Sequence, residues 1–257
     1  MHRLFQPFSR AVAGFALAGA ALLAQPMSAV QAQVPVDGSV GARTASALAD
    51  RGEFFLGLFN GGERDGFMRL GWIKTEDGVI LYDRSMMPSA EVYETLAFNL
   101  TPSLEFDRVH LQFHRGMSYM VLNLEFTDGR ATGSRFIDAV EETETQPVDF
   151  NVPDGTLPRP VAFLMPLVMG EAEGTAESFH WYGPLGNAFA DVTVTAYPGG
   201  EISTPAGDFD TIRYEIRGGS PDNDVYVTRG DNRRVVRIDV VGQDMQFLAV
   251  PMPASGS

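Results

Sequence analysis

The sequence predicts an all-β fold: a strongly curved antiparallel sheet or half-barrel of about ten or more strands, wrapped around a short apolar plug that is helical or broken by proline. Three observations predict it. Runs of roughly six to ten residues recur between turn signals. Apolar and polar residues alternate within them, as in "SYMVLNLEF", where Met120, Leu122, Leu124 and Phe126 share one face. So many short antiparallel strands cannot lie flat as one open sheet without curling or closing.

In chain order, residues 1–32 read as a signal peptide. "MHRLFQPFSR" is a basic lead, the apolar run "AVAGFALAGAALLA" follows, and "AVQAQ" places cleavage near Ala32. The apolar run is shorter than the ~20 residues that span a bilayer, and no later segment qualifies. Residues 33–52 read as a flexible lead with one short helical turn. Residues 53–251 form a single β domain, and 252–257 a tail.

The domain opens with "EFFLGLFN". "GFMRLGWIKT" and "GVILYDRSMM" are joined through "EDG", a hairpin turn in which glycine accepts positive φ. "EVYETLAFNL", "EFDRVHLQFH", "SYMVLNLEF" and "RATGSRFIDAV" follow as strands. The stretch from Pro147 to Ala176 carries the apolar block "VAFLMPLVM", which Pro166 splits, so a long helix is excluded and a buried plug is expected. "ESFHWYGPL" and "AFADVTVTAY" restart the sheet, and "DFDTIRYEI", "DVYVTR", "RRVVRIDVV" and "MQFLAVP" complete it.

Charge and composition exclude several functions. The formal net charge is −14, and loss of the leader with Arg3 and Arg10 makes it −16. Nucleic-acid binding depends on Lys and Arg displacing counterions, so no nucleic-acid partner is expected. Anionic lipid surfaces are disfavoured for the same reason. The chain has no cysteine, which removes thiol nucleophiles, CxxC redox chemistry and cysteine-ligated zinc. No G-x-S-x-G, GxGxxG, P-loop or HExxH motif occurs. No cofactor and no metal are expected.

His110 and His114 stand four residues apart in "VHLQFHRGMSY". They alternate with Val109, Leu111 and Phe113, so the segment is a strand. There the spacing separates the two Cα atoms by ~13 Å, too far for both imidazoles to reach one ion. They read as two separate positions on a polar face. The carboxylates of "EETET" (Glu141, Glu142, Glu144) and "PDNDVY" (Asp222, Asp224) read as solvated turns. "RGD" at 229–231 reads as a turn, and "NLT" at 99–101 as a chance sequon.

The ligand-binding candidates are Trp72, His180, Trp181 and Tyr182. "SFHWYGP" places three ring-bearing residues in a row, and Trp and Tyr combine apolar bulk with one polar group. Trp72 in "LGWIK" also has a reading as core.

"EFFLGLFNGGERDGFMRLGWIKTEDGVILYD", together with "ISTPAGDFDTIRYEI" and "DVYVTRGDNRRVVRIDVV", resembles an uncharacterised family of bacterial periplasmic β-sheet proteins. The resemblance implies the half-barrel of the lipoprotein-carrier proteins, which wrap apolar cargo. It also implies a tight turn at Pro205 and Gly207, a core anchor at Phe209, and Arg237 on the last long hairpin.

The expectation is a periplasmic or secreted protein that binds an apolar small molecule or lipid, or assists envelope assembly, without catalysis. Eighteen Phe and eleven Met suit an adaptable apolar surface. Two alternatives stand beside it. One is a hydrolase or lyase with His110, His114 or His180 as base and Tyr119 or Tyr182 as acid. The other is a protein-interaction scaffold using a strand edge.

Overall fold

The computed structural model describes residues 36–140 and 142–251. The expected signal peptide and the tail 252–257 lie outside the described residues. The fold is all-β. One fifteen-stranded sheet runs in the order β8-β7-β6-β5-β4-β3-β2-β1-β15-β14-β13-β12-β11-β10-β9. The first arm comprises β1 (Arg51–Asn60), β2 (Glu63–Lys74), β3 (Val79–Met87), β4 (Val92–Leu100), β5 (Phe106–Arg115), β6 (Ser118–Thr127), β7 (Arg130–Ala139) and β8 (Glu142–Asn151). The second comprises β9 (Leu157–Pro158), β10 (Ala176–Gly183), β11 (Ala188–Thr204), β12 (Gly207–Arg217), β13 (Asn223–Thr228), β14 (Val235–Val240) and β15 (Met245–Ala249). Every ladder is antiparallel except β9 with β10. The two arms join where β1 pairs with β15, Leu56 opposite Ala249 and Leu58 opposite Phe247.

Curvature follows from connectivity. Fifteen strands laid flat at ~4.8 Å spacing would put β8 and β9 about 65–70 Å apart. Only residues 152–156 separate Asn151 from Leu157, and a chain of that length reaches at most ~20 Å. The sheet therefore bends until its two edges nearly meet. The closure is made by side chains: the Phe150 ring of β8 lies 5.3 Å from Tyr182 of β10 and 5.7 Å from Phe189 of β11.

Alternation decides which face turns inward. On β5, Val109, Leu111 and Phe113 are buried, while His110 and His114 are only half-buried on the other face. The "TDG" turn joins β6 and β7 with Asp128 and Gly129 both at positive φ (50° and 70°), a geometry that matches strand twist.

The plug is two short pieces, α2 (Val161–Leu164) and a 3₁₀ turn (Met165–Leu167) that begins where Pro166 forbids a longer helix. Val161, Ala162, Leu164 and Met165 are at most 1% exposed. Its far end is pinned: Arg233 donates to the Met169 carbonyl at 2.5 Å and to the Tyr214 hydroxyl, and that hydroxyl donates to the Gly170 carbonyl at 3.2 Å.

Three local readings differ from the structure. Within the lead, Val40–Ala47 form a two-turn helix, α1, whose Val40 and Ala45 enter the core together with the following Leu48. The end of "EETET" is not a turn but the start of β8, on which Glu144 is exposed. Proline is tolerated there because β8 is an edge strand, which needs no second ladder of donors. Phe209 is not a core anchor: the β11–β12 hairpin carries it to a half-buried place, with the Arg234 guanidinium 5.6 Å from its ring.

Candidate functional site

The inward faces of β3 and β4 are broken by polar groups. Val79, Leu81 and Met87 continue the apolar row of β3, but Asp83 and Ser85 interrupt it. On β4, Val92, Leu96, Phe98 and Leu100 are buried, and Glu94 sits among them at 9% exposure. Ser85 lies opposite Glu94 and Asp83 opposite Leu96, so the two acids are diagonal neighbours on one face. From the other arm, Arg159, in the turn between β9 and α2, points at the same space.

Asp83, Glu94 and Arg159 line a partly open cavity of about 460 Å³, within the ~300–1,000 Å³ range of small-molecule sites. Trp181, Phe163, Leu185, Phe189 and Phe247 supply much of its apolar wall. The Arg159 guanidinium lies 5.5 Å from the Trp181 ring and 6.0 Å from the Phe163 ring. Trp181 is held flat against backbone: a Cβ at Gly219 would come within 2.5 Å of its ring.

The electrostatics follow from burial. Desolvation pushes the Asp83 carboxyl up to about 6, against the lowering influence of Arg159 and of the Ser85 hydroxyl, which donates to it at 3.3 Å. Desolvation, reinforced by neighbouring Asp83, holds the Glu94 carboxyl well above the usual carboxylate range. Burial also lowers Arg159, with both acids opposing it. Among the described residues no carboxylate lies within the 4.0 Å of an ion pair with Arg159, and its buried Nε has no hydrogen-bond partner. Arg159 faces the acids across the cavity.

The structure separates the ligand-binding candidates predicted from sequence. Trp181 lines the cavity. Trp72 is core, 6% exposed, donating from Nε1 to the Ala49 carbonyl at 2.9 Å and covering Gly52 on β1. His180 points away from Trp181 and pairs through Nδ1 with Asp191 Oδ1 at 2.5 Å on the outer face. Tyr182 shares His180's parity yet is fully buried, because Phe106, Phe126 and Phe150 close over it from the first arm. Its hydroxyl donates to Asn187 Oδ1 at 3.0 Å, and burial raises its pKa.

The remaining histidines also stay apart from the cavity. His110 Nδ1 is 2.7 Å from Asn123 Oδ1, and its Nε2 is 3.1 Å from Gln112 Nε2. The His114 ring lies 4.3 Å from that of Tyr119, which lines a separate open groove of about 710 Å³ with Arg115 and Arg135. Among the described residues no three His, Asp or Glu side chains group to hold a metal ion.

Asp83, Glu94 and Arg159 are therefore the residues that sequence reading missed. Two left a signal, an acid in phase with the buried positions of an apolar strand. Arg159 left none, because its place depends on the chain crossing from one sheet edge to the other. Comparison with known proteins returns no match: no family model, no curated protein and no solved structure is similar to the chain. No helix among the described residues is long and apolar enough to cross a membrane.

Proposed function

We propose that this is an exported, periplasmic β-protein that holds an amphiphilic molecule inside its curved sheet without acting on it chemically. The cavity carries the reading: aromatic and aliphatic walls can take an apolar body, and a single polar corner of Asp83, Glu94 and Arg159 can take a head group. Taking three ionisable groups out of water costs free energy unless they are compensated, and a packed core has no use for them. The signal-like leader and the resemblance to lipoprotein-carrier folds support the same reading. The histidine-dependent alternative has less support, because His110 and His114 stand on the outer face beside Asn123 and Tyr119, and His180 pairs with Asp191 outside the cavity.

Native mass spectrometry of the protein purified from its own host tests the proposal. The expected spectrum contains a bound species of constant mass that organic extraction removes. Repeated preparations free of any such species would overturn the reading.

A further inference from the structure

We propose that the head group is a monoanion, a carboxylate seated between the Arg159 guanidinium and the Asp83 and Glu94 carboxyl groups. This rests on the amphiphile reading above and specifies its chemistry. The decisive group is the Arg159 guanidinium, which lines the cavity and, among the described residues, has no carboxylate within ion-pair distance. A guanidinium only donates hydrogen bonds, so the cavity side of Arg159 suits an acceptor. A cationic head would meet Arg159 as a like charge inside a low-dielectric space. It would also compete for the Trp181 and Phe163 rings that already flank the guanidinium.

The two acids accommodate an anion rather than repel it. A protonated carboxyl has an O–H to donate, and burial already favours that form at Glu94. Asp83, which burial brings to about 6, would be driven further towards its protonated form by a bound anion. The complex then forms with uptake of up to one proton from the buffer, the full proton only where free Asp83 is ionised. Asp83 on β3, Glu94 on β4 and Arg159 before α2 are the titratable groups on the cavity wall. The strands and turns that complete it contribute Met68, Trp181, Asn223, Ile238 and Phe247. Linkage gives the sign: affinity is highest below about pH 6 and falls above it, by at most about tenfold per pH unit for one proton.

Calorimetric titration with decanoate, decanol and decyltrimethylammonium at pH 6 and pH 8 tests this. Decanoate is expected to bind at least tenfold more tightly than the other two at pH 6, and to weaken at pH 8. Buffers of different ionisation enthalpy should reveal proton uptake. Arg159→Gln should cost decanoate at least tenfold more affinity than it costs decanol. If that variant fails to fold, Asp83→Asn provides the second test, because it should flatten the pH dependence. Equal binding of decanol or of the cation would overturn the head-group assignment and leave the amphiphile reading standing. Binding of none of the three would remove both.

Discussion

Asp83 and Glu94 are placed against their own chemistry, and stability should register it. Each has its pKa raised by burial, so the native state binds more protons than the unfolded chain, whose Asp and Glu titrate near ~4. Stability attributable to these groups is therefore fully present below about pH 4. For Asp83 it is lost as pH rises towards about 6, and for Glu94 the loss extends further. Glu94→Gln keeps the shape and removes the charge. Its melting temperature is expected to exceed wild type at pH 8, by ~2–4 °C for each ~1 kcal/mol relieved, with the gap closing towards pH 4. Thermal scans across that range check it, and a gap independent of pH would contradict the assignment. These two acids were legible in principle. In "GVILYDRSMM" and "EVYETLAFNL" they fall in phase with Val79 and Leu81 and with Leu96 and Phe98, the positions that alternation sends inward.

At the scale of elements, the plug and the strands meet different demands. Leu164, with no exposed surface, sits in a helix of one turn, too short to be stable by itself; the plug keeps its shape because the sheet packs around it. Leu164→Ala should cost about 2–5 kcal/mol, read as a lower urea midpoint at unchanged slope. The outer face of β12 and β13 is instead a ladder of charge. Glu215 accepts from Arg213 at 2.8 Å and Arg217 at 3.0 Å, and Arg217 reaches Asp224 at 2.6 Å. That face of β12 and β13 offers no apolar site. Most elements were legible because period two and glycine turns are local signals. β8 was not, because Pro147 argues against a strand unless its place at the sheet edge is known. The division of "FHWYGP" was half legible. Parity separates Trp181 from His180, but the burial of Tyr182 depends on rings from the opposite arm.

Across the whole molecule, the largest unread feature was closure. Nothing local in residues 152–156 says that they link the two ends of the sheet. That fact appears only when β8 and β9, consecutive in the chain, are found at opposite edges. It also explains why Arg159 reaches Asp83 and Glu94: the short link delivers it across the gap directly after β8. Starting from β9 and reading round, the sheet follows chain order through β15, continues into β1 and ends at β8. From β10 round to β8 the fold is thus a cyclic rearrangement of one antiparallel meander, with β9 added in parallel at its start. A permuted chain, with residue 251 joined to residue 36 by a flexible linker and new ends opened within 152–156, should regain the same β-rich circular dichroism. Its cavity should loosen, because Arg159 would lose its tether to β8. A permutant that fails to fold would show that the edge-to-edge link is needed for assembly as well as for positioning.

The pairing of β1 with β15 has a consequence in time. Among the described residues the first and last strands meet in the middle of the sheet, so the ladder between the arms cannot form until residues 245–249 have arrived. Such distant contacts slow folding. During that delay each arm exposes an unpaired border, open to pairing with another molecule.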